Sequence, residues 1–270
     1  MMARYVIGLL LMALFSTLRL DSQSHAGERL RVRPSIVQQV GPADPNQSAD
    51  ELESRGDQLR AQKEYFEALD HYRAALARKP DSAVLYNKVG ISELMSQRYR
   101  QAKGDFEHAI QLDRRYAAAY NNLGVLDYAR KKFSKAAKDY EKAIAIDSGD
   151  ATYYSNLGTA YFSKKDWQKA SENYSRALVL DPRVFDHNDG AGVAGQIASP
   201  QDRAHFSYVL AKLYAREGLA EQSLECLRRA LEEGYNDVDQ VFSETDFGKL
   251  RKDPRFVQLM AERPPAIPNS

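Results

Sequence analysis

The chain has 270 residues, of which 28% are charged, and a formal net charge of +1. That balance provides no global positive field to hold a polyanion, which argues against a nucleic-acid partner. Cys226 is the single cysteine, so an internal disulfide framework, a cysteine-based zinc cluster and a lipid-anchored cysteine near the N-terminus are all excluded.

The N-terminus carries Arg4, an apolar run from Val6 to Leu18, and small residues Ser24 and Ala26 at cleavage spacing. This order predicts a secretory signal peptide over residues 1–26. Its 13 apolar residues fall short of the ~20 needed to span a bilayer as a helix, so no stable membrane insertion is expected after cleavage. Residues 27–48, rich in Pro, Gly and Arg and without helical periodicity, read as a flexible linker.

From Ala49 a block of 34 residues recurs four times, to residue 184. Gly56, Gly90, Gly124 and Gly158 form one column of the repeat. Ala68, Ala102, Ala136 and Ala170 form a second, and Ala75, Ala109, Ala143 and Ala177 a third. The bulky residues between them fall at helical offsets, and a period of this length signals a solenoid of paired helices. Small residues at these places let two helix axes approach to about 8 Å. In the fourth block Tyr154, Leu157, Gly158 and Tyr161 are followed by Ala170, Tyr174, Ala177 and Pro182. This pattern resembles the tetratricopeptide (TPR) repeat, with Tyr in place of the family's Trp and Phe. The resemblance implies an all-α, right-handed solenoid of about five TPR helix hairpins with a C-terminal helical cap.

Several positions depart from the pattern. Arg55 takes a usually apolar slot in the first block, where its stem can cover the end of the array. Glu93 and Asp127 stand where an aromatic is expected, which predicts a partly open slot in the middle blocks. Tyr65, Tyr99, Phe133 and Trp167 open each second helix and read as core packing. Residues 185–203 then break the register as an inserted loop. A fifth, weaker repeat follows over 204–237, with Ala211 at the glycine column and Ser223 at the alanine column. Over 238–263 the register is lost, but Asp253 and Pro254 mark a helix start, and Phe256, Leu259 and Met260 give that helix one apolar face. This segment resembles the D-F-x-x-L-R-x-D-P-R-F-x-x-L stretch that follows TPR arrays in a number of bacterial proteins, which implies a cap. Residues 264–270 read as a disordered tail.

Motifs that would carry chemistry fail on context. GAGVAG, from Gly190 to Gly195, matches a dinucleotide fingerprint but follows a helical repeat with no strand pattern. Asp186, His187, Asn188 and Asp189 lack calcium-loop spacing and read as a polar turn. The other histidines are scattered, no serine sits in a G-x-S-x-G elbow, and no nucleophile is paired with a base. Neither catalysis, a metal nor a cofactor is expected. The basic run from Arg130 to Lys138 reads as a solvated turn, with acidic Asp139, Glu141 and Asp147 close behind.

In TPR arrays the first helix of each pair lines a concave groove that takes extended or helical peptides. Carried over by position, the groove residues are Glu53, Asp57, Asn87, Ile91, Leu94, Asn121, Asn122, Val125 and Tyr128, continuing through Ser155, Asn156, Thr159 and Phe162 to Tyr208 and Lys212. Asparagine amides suit a peptide backbone, and Tyr128 and Phe162 offer apolar contact. Asn122 and Asn156 also occupy a consensus position of the family, and inter-repeat hydrogen bonding is an equal reading of them. Glu53 and Asp57 stand at clamp positions that hold a partner's carboxylates in some TPR proteins. They would repel such a group and favour a partner with a basic residue. The resemblance thus implies a non-catalytic scaffold or adaptor for a protein or peptide, exported to the bacterial cell envelope, periplasmic or secreted. The alternatives are an accessory component of an enzyme complex, with the 185–203 loop contributing to a site, and a structural assembly factor that self-associates by stacking.

Overall fold

The computed structural model describes residues 46–185 and 199–262. The expected signal peptide, nearly all of the expected linker, the GAGVAG and Asp186 to Asp189 segments and the expected tail lie outside the described residues. Every regular element among the described residues is helical.

Five helical hairpins follow one another in the chain. Hairpin one is α1 (Ala49–Ala61) and α2 (Tyr65–Leu76), and hairpin two is α3 (Ala83–Met95) and α4 (Tyr99–Leu112). Hairpin three is α5 (Ala117–Ala129) and α6 (Phe133–Ile146), and hairpin four is α7 (Ala151–Ser163) and α8 (Trp167–Leu180). Hairpin five is α9 (Pro200–Arg216) and α10 (Ala220–Glu232), after which come the short α11 (Val238–Ser243), two single 3-10 turns and α12 (Pro254–Glu262).

Local chemistry sets the helix ends. Ser48 accepts from the Glu51 amide while Glu51 reaches back to the Ser48 amide, a capping box that starts α1. Ser82 and Asp150 cap α3 and α7 in the same sense. Each first helix of the leading four hairpins ends on a left-handed residue, Lys63, Gln97, Lys131 or Lys165, with φ between 58° and 65°. The next amide turns back onto the last helical turn, as when Lys132 donates to the Asp127 carbonyl at 2.8 Å. In hairpin five Gly218 takes this place at φ 77°.

The hairpins close where an aromatic ring of the second helix lies on a glycine of the first. A Cβ built on Gly56 would stand 2.5 Å from the Tyr72 ring, and the same clash arises at Gly90 with Phe106, Gly124 with Tyr140 and Gly158 with Tyr174, at 2.6 Å each. All four rings are fully buried, as are Ala75, Ala109, Ala143 and Ala177. At the same separation in hairpin five stand Ala211 and Leu227, both fully buried, and Ser223 donates to the Ala211 carbonyl at 2.7 Å.

Three sequence expectations are corrected. The slot at Glu93 and Asp127 is closed, since their exposures are 1% and 2%. Arg73 from hairpin one pairs with Glu93 at 2.7 Å, and Lys132 and Lys135 lie 4.0 and 3.9 Å from Asp127. Cations hold these carboxylates inside because a buried charge without a partner is strongly unfavourable. Trp167 packs on Phe162 and His205 yet keeps 38% of its surface exposed, so the aromatic column is only partly core. Helix α9 begins at Pro200, within the expected loop, because Ser199 caps it by accepting from the Asp202 amide and Pro200 fits its first turn.

Hairpin five also enters differently. In hairpins one to four, positions 35 apart on successive first helices touch, as Asn87 with Asn122 and Asn121 with Asn156 do. The start of α9 instead meets the end of α7 and the start of α8, through Phe162 to Phe206 at 5.8 Å, Trp167 to His205 at 4.6 Å and the Lys165–Asp202 ion pair. The last elements then cover hairpin five with fully or nearly fully buried Val241, Phe247, Phe256, Leu259 and Met260.

Gly124→Ala is expected to destabilise the fold by about 1–3 kcal/mol, because the Tyr140 ring has nowhere to retreat. Adding Tyr140→Leu, which copies the pairing of hairpin five, should recover part of that loss in thermal unfolding followed by circular dichroism. Strict additivity of the two changes would contradict the ring-on-glycine contact.

Candidate binding face

Each of α3, α5 and α7 places an asparagine against the helix before or after it. Asn122 donates to the Asn87 side-chain oxygen at 2.8 Å and Asn156 to that of Asn121 at 2.9 Å. The Asn121 amide reaches Asn122 at 3.4 Å, and Asn87 donates to the Tyr116 hydroxyl at 3.3 Å. The amides thus form a ladder that ties three first helices together. Of the two readings open for Asn122 and Asn156, both make inter-repeat bonds, and Asn156 is buried to 1% exposure.

The remaining expected groove residues divide by exposure. Tyr128, Ser155, Thr159, Phe162 and Tyr208 are buried, at 5% exposure or less. Tyr128 shares a hydrogen bond with Ser163 at 2.8 Å, Thr159 donates to the Ser155 carbonyl and accepts from Tyr174, and Phe162 packs on Trp167. Tyr208 stacks on Tyr235 at 4.2 Å. Glu53, Asp57, Ile91, Leu94, Asn122, Val125 and Lys212 stay partly exposed. The apolar contact expected of Tyr128 and Phe162 is therefore spent on packing, while Ile91 and Val125, at the same position of consecutive repeats, pack against the core on one side and stay partly exposed on the other.

The expected acidic end is neutralised from within. Lys88 donates to Glu53 and to Asp57, each at 2.6 Å, and Asp57 also accepts from the Tyr72 hydroxyl at 2.8 Å. Burial opposes ionisation of Asp57, but the bonds from Lys88 and Tyr72 outweigh it and hold its carboxyl below the usual range. Lys212 is likewise paired with Glu244 and near Asp246. Sequence reasoning missed Lys88; its position, one step after the Asn87 column and 35 residues after Glu53, was the available signal.

A second group sits between hairpins one and two. Arg73 on α2, Glu93 on α3 and Asp105 on α4 meet there, Arg73 on one Glu93 oxygen and the Asp105 carboxyl hydrogen-bonded to Glu93. Burial, and after it the Glu93 carboxylate, push the Asp105 carboxyl up to about 7. Asp127 and Asp139 repeat the arrangement in hairpin three, where burial again raises Asp139. A cleft of about 740 Å³ lies between hairpin five and α12, lined by Phe185, Leu210, Tyr214, Cys226, Arg229 and Leu259 among others. Among the described residues no group of three or more His, Cys, Asp or Glu is placed to hold a metal ion.

The native Asp105 carboxyl keeps its proton where the unfolded one, near 3.8, has lost it, so this group lowers stability as pH rises from about 4 to about 7. Asp105→Asn should flatten that decline and raise the melting temperature at pH 8, as read by thermal unfolding across the range. An unchanged pH profile would contradict the raised carboxyl.

Family profiles described as TPR repeat and Tetratricopeptide repeat match residues 126–165 and 151–184. A search of curated proteins finds no match. Among solved structures, one of MamA is 21% identical, with 68% of this chain and 96% of that chain covered and a TM-score of 0.46. The first TPR of Spaghetti (RPAP3), bound to an HSP90 peptide, is 24% identical over 46% of this chain and 91% of that one, with a TM-score of 0.37. The second TPR domain of human RPAP3, in complex with an HSP70 peptide, is 24% identical over 42% of this chain and 93% of that one, with a TM-score of 0.39. The profile matches fall on hairpins three and four, whose glycine and alanine columns and ring-on-glycine contact recur in hairpins one and two, with Phe106 for Tyr in hairpin two, and the chain carries tetratricopeptide repeats over residues 126–184.

Proposed function

We propose that the protein is a non-catalytic scaffold that docks a polypeptide segment on the face of α3, α5 and α7. The observation that carries this reading is the asparagine ladder, which holds the three helices in fixed register before any partner arrives. Preorganisation of this kind lowers the entropy lost on binding. Between the rungs, partly exposed Ile91 and Val125 supply an apolar strip, and Asn122 supplies an amide beside it. An extended or helical segment with apolar side chains at its centre fits that surface. Because Lys88, together with Arg60 at 3.7 Å from Asp57, balances Glu53 and Asp57, the face selects by shape and apolar contact more than by charge.

The proposed setting is the cell envelope after export. The basic, apolar and small-residue order of residues 1–26 supports it. The accessory-enzyme alternative rests on the 185–203 segment, most of which lies outside the described residues.

A photo-crosslinking residue at Val125 is expected to capture the partner in cells, whereas the same residue at Val179, 59% exposed on α8, should not. Equal capture at both positions, or capture only at Val179, would place docking elsewhere.

A further inference from the structure

The hairpin turns of the first four repeats share one edge of the array, because their left-handed residues recur at intervals of 34 and consecutive turns touch. Arg98 of the second turn lies 5.0 Å from the ring of Phe66, which follows the first. Tyr128 near the third turn meets Ser163 at the fourth. The eight-residue spans at these turns, 60–67, 94–101, 128–135 and 162–169, hold eleven basic and three acidic side chains. The connectors at the opposite edge, 77–84, 111–118 and 145–152, hold four of each. A chain of net charge +1 thus gathers an excess of positive charge on one edge, and what reads in sequence as a solvated basic run is one part of it.

Part of that charge is compensated: Lys132 and Lys135 approach buried Asp127, and Lys165 pairs with Asp202. Arg130 and Lys131 are exposed and have no ion-pair partner among the described residues, and Lys164 makes only a contact over the Tyr161 ring. Apolar side chains stand among the cations on the same edge. Phe66 is 55% exposed, Met95 52% and Trp167 38%, with Lys165 lying 5.1 Å from the Trp167 ring. Exposed Trp and Phe interleaved with Lys and Arg match the interfacial zone of a bilayer, where rings enter the headgroup layer and cations meet anionic lipid.

We propose that this hairpin-turn edge is a peripheral docking surface for an anionic phospholipid bilayer. Exposed Phe66, Met95 and Trp167 among the cations favour a bilayer over another polyanion as the occupant, since a polyanion offers no apolar layer for these side chains to enter. The edge is distinct from the α3, α5 and α7 face, so a membrane-bound molecule keeps that face open to its partner.

Trp167 is the only tryptophan, so its emission reports on this edge directly. The full chain is mixed with vesicles of phosphatidylcholine alone, or with about a third phosphatidylglycerol, at low and high salt. The expected result is a blue shift with phosphatidylglycerol, quenching by brominated lipid, and reversal by salt. With phosphatidylcholine alone Trp167 should not respond, even if the N-terminal apolar run brings the protein to the vesicle. The triple variant Arg130→Glu, Lys131→Glu, Lys164→Glu should weaken phosphatidylglycerol-dependent binding about tenfold or more. Arg114→Glu with Arg115→Glu, at the opposite edge, should leave it within about twofold. Melting temperatures are compared first, so that a loss of fold is recognised; if the triple variant unfolds, the wild-type Trp167 response decides alone. Vesicle binding with silent Trp167 emission, or with equal losses at both edges, would overturn the proposal. So would a Trp167 response to polyglutamate or single-stranded DNA but not to vesicles, which would assign the edge to an acidic macromolecule.

Discussion

The contact on which the array depends is an aromatic ring laid on a glycine. Tyr72, Phe106, Tyr140 and Tyr174 each press on the first helix of their own hairpin where a methyl group would stand 2.5–2.6 Å away. The ring fills the crossing that the missing side chain opens, so both partners are specified together, and the alanine columns bring the remaining turns of the two helices close. Because the contact recurs at one position in four repeats, each first helix is set at the same height and rotation. Hairpin five replaces the pair with Ala211 and Leu227, which changes the partners and keeps the volume between them.

Register within hairpins decides what can happen between them. With the first helices aligned, Asn122 reaches Asn87 and Asn156 reaches Asn121, and Lys88 bridges Glu53 and Asp57 across the first seam. Most polar atoms of the candidate face are thereby satisfied inside the protein, and what stays open is the partly exposed strip around Ile91, Asn122 and Val125. Carboxylates also meet inside hairpins two and three, Glu93 on α3 with Asp105 on α4 and Asp127 on α5 with Asp139 on α6, held by Arg73 from hairpin one and by Lys132 and Lys135. These pairs are the electrostatically strained places of an otherwise well-satisfied array.

The repeat itself was plain in the sequence because small-residue columns have no other cause at a 34-residue period. The start of α12 followed from the Asp253-Pro254 pair, since capping is local chemistry, and Ser82 and Asp150 cap α3 and α7 by the same rule. The site was less legible. Position within a repeat says which helix a side chain sits on, but whether Tyr128 and Phe162 face solvent or a neighbour depends on how hairpins pack, and both are buried. Lys88 could be found only by comparing positions 35 apart, because its partners Glu53 and Asp57 lie on the first helix of the preceding repeat. The entry of hairpin five by the start of α9 depends on contacts of Phe206, His205 and Asp202 that no periodicity encodes.

Nuclear magnetic resonance of the glycine α-protons tests the account at its root. A ring seated on Gly56, Gly90, Gly124 and Gly158 must shield those protons, whereas Gly104, with nothing within 4 Å of its virtual Cβ, has no such neighbour. The account predicts four glycine α-proton signals well upfield of the ordinary position and an unshifted Gly104. Four glycines at ordinary shifts would mean that the rings lie elsewhere, and the register, the asparagine ladder and the face built upon them would fall together.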